Sequence, residues 1–283
     1  LPILAAAYGE ETESAVRRRV SQLERFGLVP RAPSDEVLVF LQPLVREVAY
    51  RGLPQRIKRL VHRRLTEYLD YTRERAMPNW LNLLAYHAFE GHLWEKAIEA
   101  NLELGRRALQ AYLATQALVA FERVLEAADN GGLVATNARF EAHHQLGETL
   151  TMLGQCEEAL WHLDKARQML PAKPVESEDV TRLADLEYHR ATVFETMGAY
   201  DRASEVVERG LSLPNVERTL GGARLYLIGA DLFRRQNDYQ QARAWAQRSV
   251  ALSARFPGQE SQHIRSRAMY MLALLASLKR LGM

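Results

Sequence analysis

A turn that recurs at a nearly fixed interval constrains this chain more than any other feature. Gly154-Gln-Cys-Glu-Glu-Ala159, Gly198-Ala-Tyr-Asp-Arg-Ala203 and Asn237-Asp-Tyr-Gln-Gln-Ala242 are copies of one another. The alanines Ala117, Ala159, Ala203 and Ala242 follow at separations of 42, 44 and 39 residues. Each copy is flanked by apolar residues at three- and four-residue steps, the period of a helix with one buried stripe. Repeats of this kind bury their apolar faces on their neighbours, so the expected fold is an all-α solenoid and not a single globular core. Small residues open room for close packing in the first helix of each copy: Gly147 beside Leu146 and Leu150, Ala191 before Phe194, Gly229-Ala230 before Phe233. Gly- and Pro-containing breakers at 129–132, 171–174, 213–222 and 257–258 separate the copies.

Two further starts, Trp94-Glu-Lys-Ala97 and Ala114-Thr-Gln-Ala117, lie only 20 residues apart. One long helix, about Glu95 to Ala111, is therefore expected to serve two neighbouring units. After the last full copy, Ser261 to Leu281 reads as a first helix without a partner, so the final repeat is incomplete. Its exposed face suits either a continuation of the chain or a second copy of it.

Strand signals are confined to the N-terminal end. A helix carrying Val16, Val20, Leu23 and Phe26 on one face is expected to stop at Gly27. Leu28-Val29 and Val37 to Phe40 then read as a β-hairpin, and a later helix carries Ile57, Val61, Leu65 and Leu69. Helix, hairpin, helix is the order of a winged helix, which gives an expected division into residues 1–75 and a repeat region over 79–283. The chain starts at Leu1 without a basic leader and reads as a piece of something larger. Cys156 is the one cysteine, so no internal disulfide can form and a reducing cytoplasm is expected. No apolar run approaches the roughly 18 residues of a membrane span.

The repeat region resembles the tetratricopeptide repeat family in its small pair at mid-helix, its turn aromatic (Tyr200, Tyr239) and the alanine three residues later. It departs from that pattern in its longer period, against about 34 residues, in Cys156 at one turn aromatic position, and in the closing Pro171 found in one copy only. The resemblance implies that set positions of each first helix line a concave groove: Glu141, His144 and Glu148, with Thr151 and Met152; Asp185, Tyr188 and Glu195, with Thr192 and Thr196; Arg224, Arg234 and Arg235, with Leu227 and Asp231; then Lys279 and Arg280, with Met269 and Leu272. The groove is expected to be negative near its middle and positive toward its C-terminal end, suited to a protein or peptide of complementary charge.

The stretch Phe40-Leu-Gln-Pro-Leu-Val-Arg-Glu-Val-Ala-Tyr50, followed by Arg56, Arg59, His62-Arg63-Arg64 and later Leu84-Ala-Tyr-His87, is similar to the junction after the nucleotide-binding core of bacterial signal-transduction ATPases with numerous domains (STAND regulators). That family includes large LuxR-type transcription activators and class III nucleotide cyclases with repeat tails. The resemblance implies a winged helix placed between an absent NTPase core and a repeat array. Where that family commonly has a histidine that reaches the nucleotide, this chain has Gln42, which carries no charge and puts nucleotide sensing in question. The chain has no Gly-x-x-x-x-Gly-Lys-Ser/Thr loop, so any ATPase or cyclase activity lies outside it.

The remaining chemistry is sparse. His143, His144, Cys156 and His162 invite a zinc reading, but adjacent histidines diverge by about 100° around a helix and no Cys-x-x-Cys or His-x-x-x-His pair accompanies them. Neither metal nor cofactor is expected, and no nucleophile elbow or His-Glu-x-x-His motif occurs. Arg17-Arg18-Arg19 and Arg56 to Arg64 suggest phosphate contact, yet acidic residues interleave with them, and a net charge of +2 is far from that of a dedicated nucleic-acid domain. The expected function is a non-catalytic scaffold that binds a protein or effector and regulates an upstream signalling or transcription module. A standalone adaptor that homo-oligomerises through its last helix and a DNA-binding winged helix are the alternatives.

Overall fold

The computed structural model describes residues 2–9, 12–30, 39–72, 79–132, 135–171, 174 and 176–280. Among them lie fourteen α-helices and one 3-10 turn, with no strand. The chain falls into two compact units, one of residues 1–108 with 122–135 and one of residues 109–121 with 136–283. No described helix is long and apolar enough to cross a membrane.

In the first unit α1 (Pro2–Tyr8), α2 (Glu13–Arg25), α3 (Pro43–Gly52), α4 (Gln55–Thr72), α5 (Trp80–Glu90) and most of α6 (Trp94–Gln110) follow in order. Leu65 and Leu69 of α4 are both buried, as the four-residue spacing requires, and Leu69 packs with Leu81, Leu84 and Ala85 of α5. α2 ends before Gly27, whose φ of +66° is the left-handed conformation expected there. Val16 is buried on α2 as expected, but Phe26 is 77% exposed: it is the C-cap residue, beyond the last turn that the helical phase controls. The β-hairpin wing is not seen. Leu28, Val29 and residues 39–40 form no strand, and a single Leu41 N–H to Leu28 C=O bond of 3.0 Å links the two arms. Pro30 has no N–H to donate to a ladder, and residues 31–38 of the expected hairpin lie outside the described residues. Leu44 and Val48 of α3 point to solvent, and no residue of that helix is buried.

The second unit repeats one packing rule. First helices α8 (Thr136–Met152), α10 (Ser177–Thr196), α12 (Leu220–Arg235) and α14 (Gln259–Arg280) lie side by side, and α9 (Cys156–Gln168), α11 (Tyr200–Leu211) and α13 (Tyr239–Ser253) each pack between the first helix before and the one after. This is the neighbour-only contact pattern of an α-solenoid. α14 has no second helix among the described residues.

The turns explain why the repeat was visible in sequence. Two residues before α6, α7 (Ala114–Asn130), α9, α11 and α13 stand His92, Tyr112, Gly154, Gly198 and Asn237, all with positive φ between 55° and 77°. In four of these turns the next N–H bonds back five residues, as in Leu93 to Ala88 and Gln155 to Leu150, closing a Schellman motif. The N–H of Ala97, Ala117, Ala159, Ala203 or Ala242 then makes the four-residue bond at the start of each second helix. Each of these alanines is 0% exposed, so a larger side chain there meets the neighbouring helix directly. The long helix expected near residues 95–111 is α6, Trp94–Gln110.

Gly229 shows how tight this packing is. A Cβ added there would lie 2.3 Å from Cζ3 of Trp245, and that ring is held edge-on between Phe233 and Tyr226 at centroid distances of 4.9 and 5.3 Å. Gly229→Ala gains about 1 kcal/mol of helix propensity but overpacks a ring held between two aromatic neighbours, a cost of about 1–3 kcal/mol. The expected outcome in urea denaturation is a net loss of up to about 2 kcal/mol. A net gain would show that Trp245 can step aside.

Candidate functional site

Along the second unit, α8, α10, α12 and α14 line a groove of about 760 Å³. Helical spacing delivers its polar groups: His144 and Glu148 lie one turn apart on α8, Asp185, Tyr188 and His189 share a face of α10, and α12 contributes Arg224. Thr151 and Met152 of α8, Thr192 of α10 and Leu227 of α12 complete the expected lining. The threonines have spent their donors, because Thr151 Oγ1 donates to Gly147 C=O at 2.6 Å and Thr192 Oγ1 to Tyr188 C=O at 3.0 Å, and they can only accept.

Arg224 is the hub. Its Nη1 donates to Asp185 Oδ1 at 2.7 Å, its Nη2 pairs with Glu260 of α14, and its guanidinium lies 5.6 Å over the Tyr188 ring. Burial and the Arg224 charge together hold His144 neutral, with its pKa lowered to about 4. His189, edge-on to His144 at 4.9 Å, is pushed well down by burial, by His144 and by Arg224. Burial raises the carboxyl pKa of both Asp185 and Glu148, and Arg224 offsets part of the rise in each. Two groups remain uncommitted. Nε2 of His144 is shut off from solvent without a hydrogen-bond partner, and Glu148 makes no ion pair among the described residues.

The other expected groove residues fall elsewhere. Glu195, Arg234 and Arg235 form a second cluster with Asp231 and Tyr200: Arg235 bonds Glu195 at 3.0 Å and Asp231 at 2.7 Å, and Arg234 bonds Asp231 at 2.7 Å. Burial opposes the charge on Asp231, but the hydrogen bonds from Arg235 and Arg234 outweigh it and leave its pKa lowered. Glu195 is shifted up by burial and by Asp231. Glu141 of α8 does not line the groove. The side chains of Lys279 and Arg280 lie outside the described residues, and Met269 of the same helix is 57% exposed.

Two corrections follow. The arginines of α12 do not make the groove positive there, because carboxylates of α10, α12 and α14 match them one for one or better, while the side chains of Lys279 and Arg280, expected at the positive end, lie outside the described residues. The contribution of α14 comes from Glu260, His263 and Arg267, two turns earlier than expected. Their i, i+3, i+7 spacing was the available signal, and the expected register missed it because this copy has no turn aromatic or marker alanine to anchor it.

In place of a metal cluster, the histidines form pairs. His143 and His162 bring their Nδ1 atoms to 2.9 Å, whereas His144 faces His189, so adjacent residues diverge around α8 as helical geometry demands. Among the described residues no group of three or more His, Cys, Asp or Glu is disposed to hold a metal. In the first unit, Tyr50 Oη, His62 and His87 form a chain with contacts of 2.9 and 2.7 Å. Parts of the basic stretch there are engaged with backbone: Arg63 Nε donates to Gly91 C=O and Arg64 Nη1 to Tyr8 C=O. Gln42 stands exposed at the N-cap of α3 without a capping bond. A recess of about 400 Å³ is lined by residues of α4 and the start of α6, and Lys96 within it is paired with Asp70 and Glu99.

No family model and no curated protein matches the chain. Among solved structures it is similar to the crystal structure of BtubC (BKLC) from P. vanneervenii, at 14% identity and a TM-score of 0.40 over 85% of this chain and 92% of that one.

Proposed function

We propose that this chain is a non-catalytic binding module of the tetratricopeptide-repeat kind, in which the α8–α10–α12–α14 groove holds a protein segment or small effector and the occupied state regulates a nucleotide-dependent signalling or transcription module of the STAND type. The observation that carries the reading is the groove itself: a large concave surface on rigid helices, with a buried, unpartnered His144 Nε2 and an unpaired Glu148 at one end. Buried polar groups left without partners are costly in a free protein and become favourable when a ligand supplies the partner. The resemblance of Phe40 to Tyr50 to the STAND junction supports the regulatory half.

The test is affinity purification of the full-length parent protein from its own cells, beside a variant carrying His144→Ala, Asp185→Ala and Arg224→Ala. The expected result is a co-purifying protein or small molecule whose recovery falls at least tenfold in the variant, with unchanged helical circular dichroism. Equal recovery would move the binding surface elsewhere. The regulatory half makes a separate demand: the coding sequence ahead of Leu1 should carry a Gly-x-x-x-x-Gly-Lys-Ser/Thr loop.

A second reading rests on α14, whose Met269 and Tyr270 are 57% and 71% exposed. Association of two copies through this face is tested by light scattering over a concentration series, where a monomer throughout removes it.

A further inference from the structure

The chemistry of the groove selects among ligands. An anion entering it finds no unclaimed guanidinium at the floor. Arg224 already binds Asp185 and Glu260, and its face is spent on Tyr188. The anion would instead meet the carboxylates of Glu148, Asp185 and Glu260 with the neighbouring imidazoles uncharged. Arg267 offers a positive charge, but it is exposed on the rim, where solvent screens it.

The unsatisfied groups are acceptors, or can become so. Glu148 is largely enclosed, lies next to Asp185, and has no ion-pair partner among the described residues. Nε2 of His144 is buried without a partner, and a neutral imidazole with its proton on Nδ1 offers Nε2 as an acceptor. The two residues are i and i+4 on α8, which places their Cβ atoms about 5–6 Å apart on one face. An ammonium or guanidinium head carries enough N–H donors to serve both acceptors. Among the described residues no three His, Cys, Asp or Glu side chains are disposed to hold a metal ion there.

We propose that the groove binds a ligand through an ammonium or guanidinium group seated between the Glu148 carboxylate and Nε2 of His144, with Asp185 adding to the negative field. The assignment rests on the reading of the groove as a binding surface and narrows it to a cationic ligand. The source is either a free amine or a Lys or Arg side chain of a peptide segment; both present the same head group.

The experiment follows the imidazole resonances of the intact chain labelled with 13C-histidine. The protein is titrated at constant ionic strength with n-butylammonium chloride, with sodium butyrate, and with the peptide acetyl-Ala-Ala-Lys-Ala-Ala-amide. The expected result is a saturable shift of the His144 signal with both amines and none with butyrate, and affinity at least tenfold weaker in Glu148→Gln. A readout in the unmodified protein guards against a misfolded variant: saturating amine should move the Glu148 carboxyl titration to lower pH. Peptide binding tenfold or more tighter than n-butylammonium assigns the cation to a protein partner, and equal binding assigns it to a free amine. No saturable shift with either amine, or an equal shift with butyrate, overturns the proposal. Binding of butyrate alone would keep the groove as a ligand site while removing the cation, so the two readings fail separately.

Discussion

Lowering the pH from 7 to 5 should cost the second unit about 2 kcal/mol through His144 alone, and about 3 kcal/mol by pH 4. The sign follows from linkage. The folded pKa of His144 is about 4 against an ordinary 6.5, so between these values the unfolded chain binds a proton that the folded chain refuses, and stability falls as pH falls. A shift of about 2.5 units at 1.36 kcal/mol each sets the size. His189, depressed by burial, by His144 and by Arg224, adds in the same direction. The charged and titratable groups that share the groove with this pair are Arg224 from α12, Asp185 and Tyr188 from α10, Glu148 from α8, and Glu260, His263 and Arg267 from α14. Among these, Asp185 and Glu148 have raised pKa values, so the folded state takes up their protons more readily and recovers part of the loss. That recovery begins only as the pH approaches their own titration, whereas the histidine penalty starts at 6.5.

His62 and His87 are also depressed, chiefly by burial, so the first unit should be acid-sensitive in the same sense, and His162 of α9, lowered by burial, adds to the effect in the second. Protonating both His62 and His87 would set two N–H donors against each other across their 2.7 Å contact. The measurement is urea denaturation at half-unit pH steps for the protein and for His144→Gln, which keeps a polar group but cannot titrate. The variant should lose close to one proton's worth of slope, about 1.4 kcal/mol per pH unit where the effect is steepest. Identical slopes would mean that His144 is open to water in solution.

The repeat geometry was legible because one physical requirement writes the same residues each time. A helix that reverses within a few residues needs a left-handed position, filled here by Gly154, Gly198 and Asn237, and then an alanine small enough to sit under the neighbouring helix. His92 and Tyr112 hold the same conformation at a cost of about 1 kcal/mol or more, and for that reason the two earlier turns were the harder ones to recognise. The groove positions His144, Glu148, Asp185, Tyr188 and Arg224 followed from the resemblance to tetratricopeptide repeats, which implies set positions on each first helix. Their pairing did not, because spacing along a helix says nothing about what lies across from it. The information was nevertheless there: Asp185 and Arg224 are 39 residues apart and Glu195 and Arg235 are 40 apart, one repeat period in each case. Laying each copy over the next would have matched acid with base. The wing was the weakest expectation, since short apolar runs beside prolines fit a hairpin and an irregular connection equally well.

Replacing Leu225 by alanine should be the most destabilising single change in the repeat array, at about 3–4 kcal/mol. Leu225 is 0% exposed on α12 and packs in one cluster with Ala184 and Ala191 of α10 and Ala203, Val206 and Val207 of α11, so its side chain joins three helices. Cost on truncation depends on whether neighbours can close the void. Here they cannot. Cδ1 of Leu225 lies 2.7 Å from where a Cβ on Gly210 would stand, so it packs directly on glycine backbone, and the alanines around it have no reach. The same geometry gives a coupled test. Gly210→Ala alone would drive a methyl into Leu225 and toward Cβ of Glu187 at 3.1 Å, and should cost about 1–2 kcal/mol despite better helix propensity. In the double variant the new methyl enters the space that Leu225 has vacated, so the two losses should fall short of additivity by at least about 1 kcal/mol. Met269→Ala, on the exposed side of α14 and outside these clusters, is the control and should change stability by no more than about 0.5 kcal/mol. Strict additivity of the Leu225 and Gly210 changes would mean that α11 and α12 do not meet at this contact, and the close packing of second helices against the next first helix would have to be redrawn.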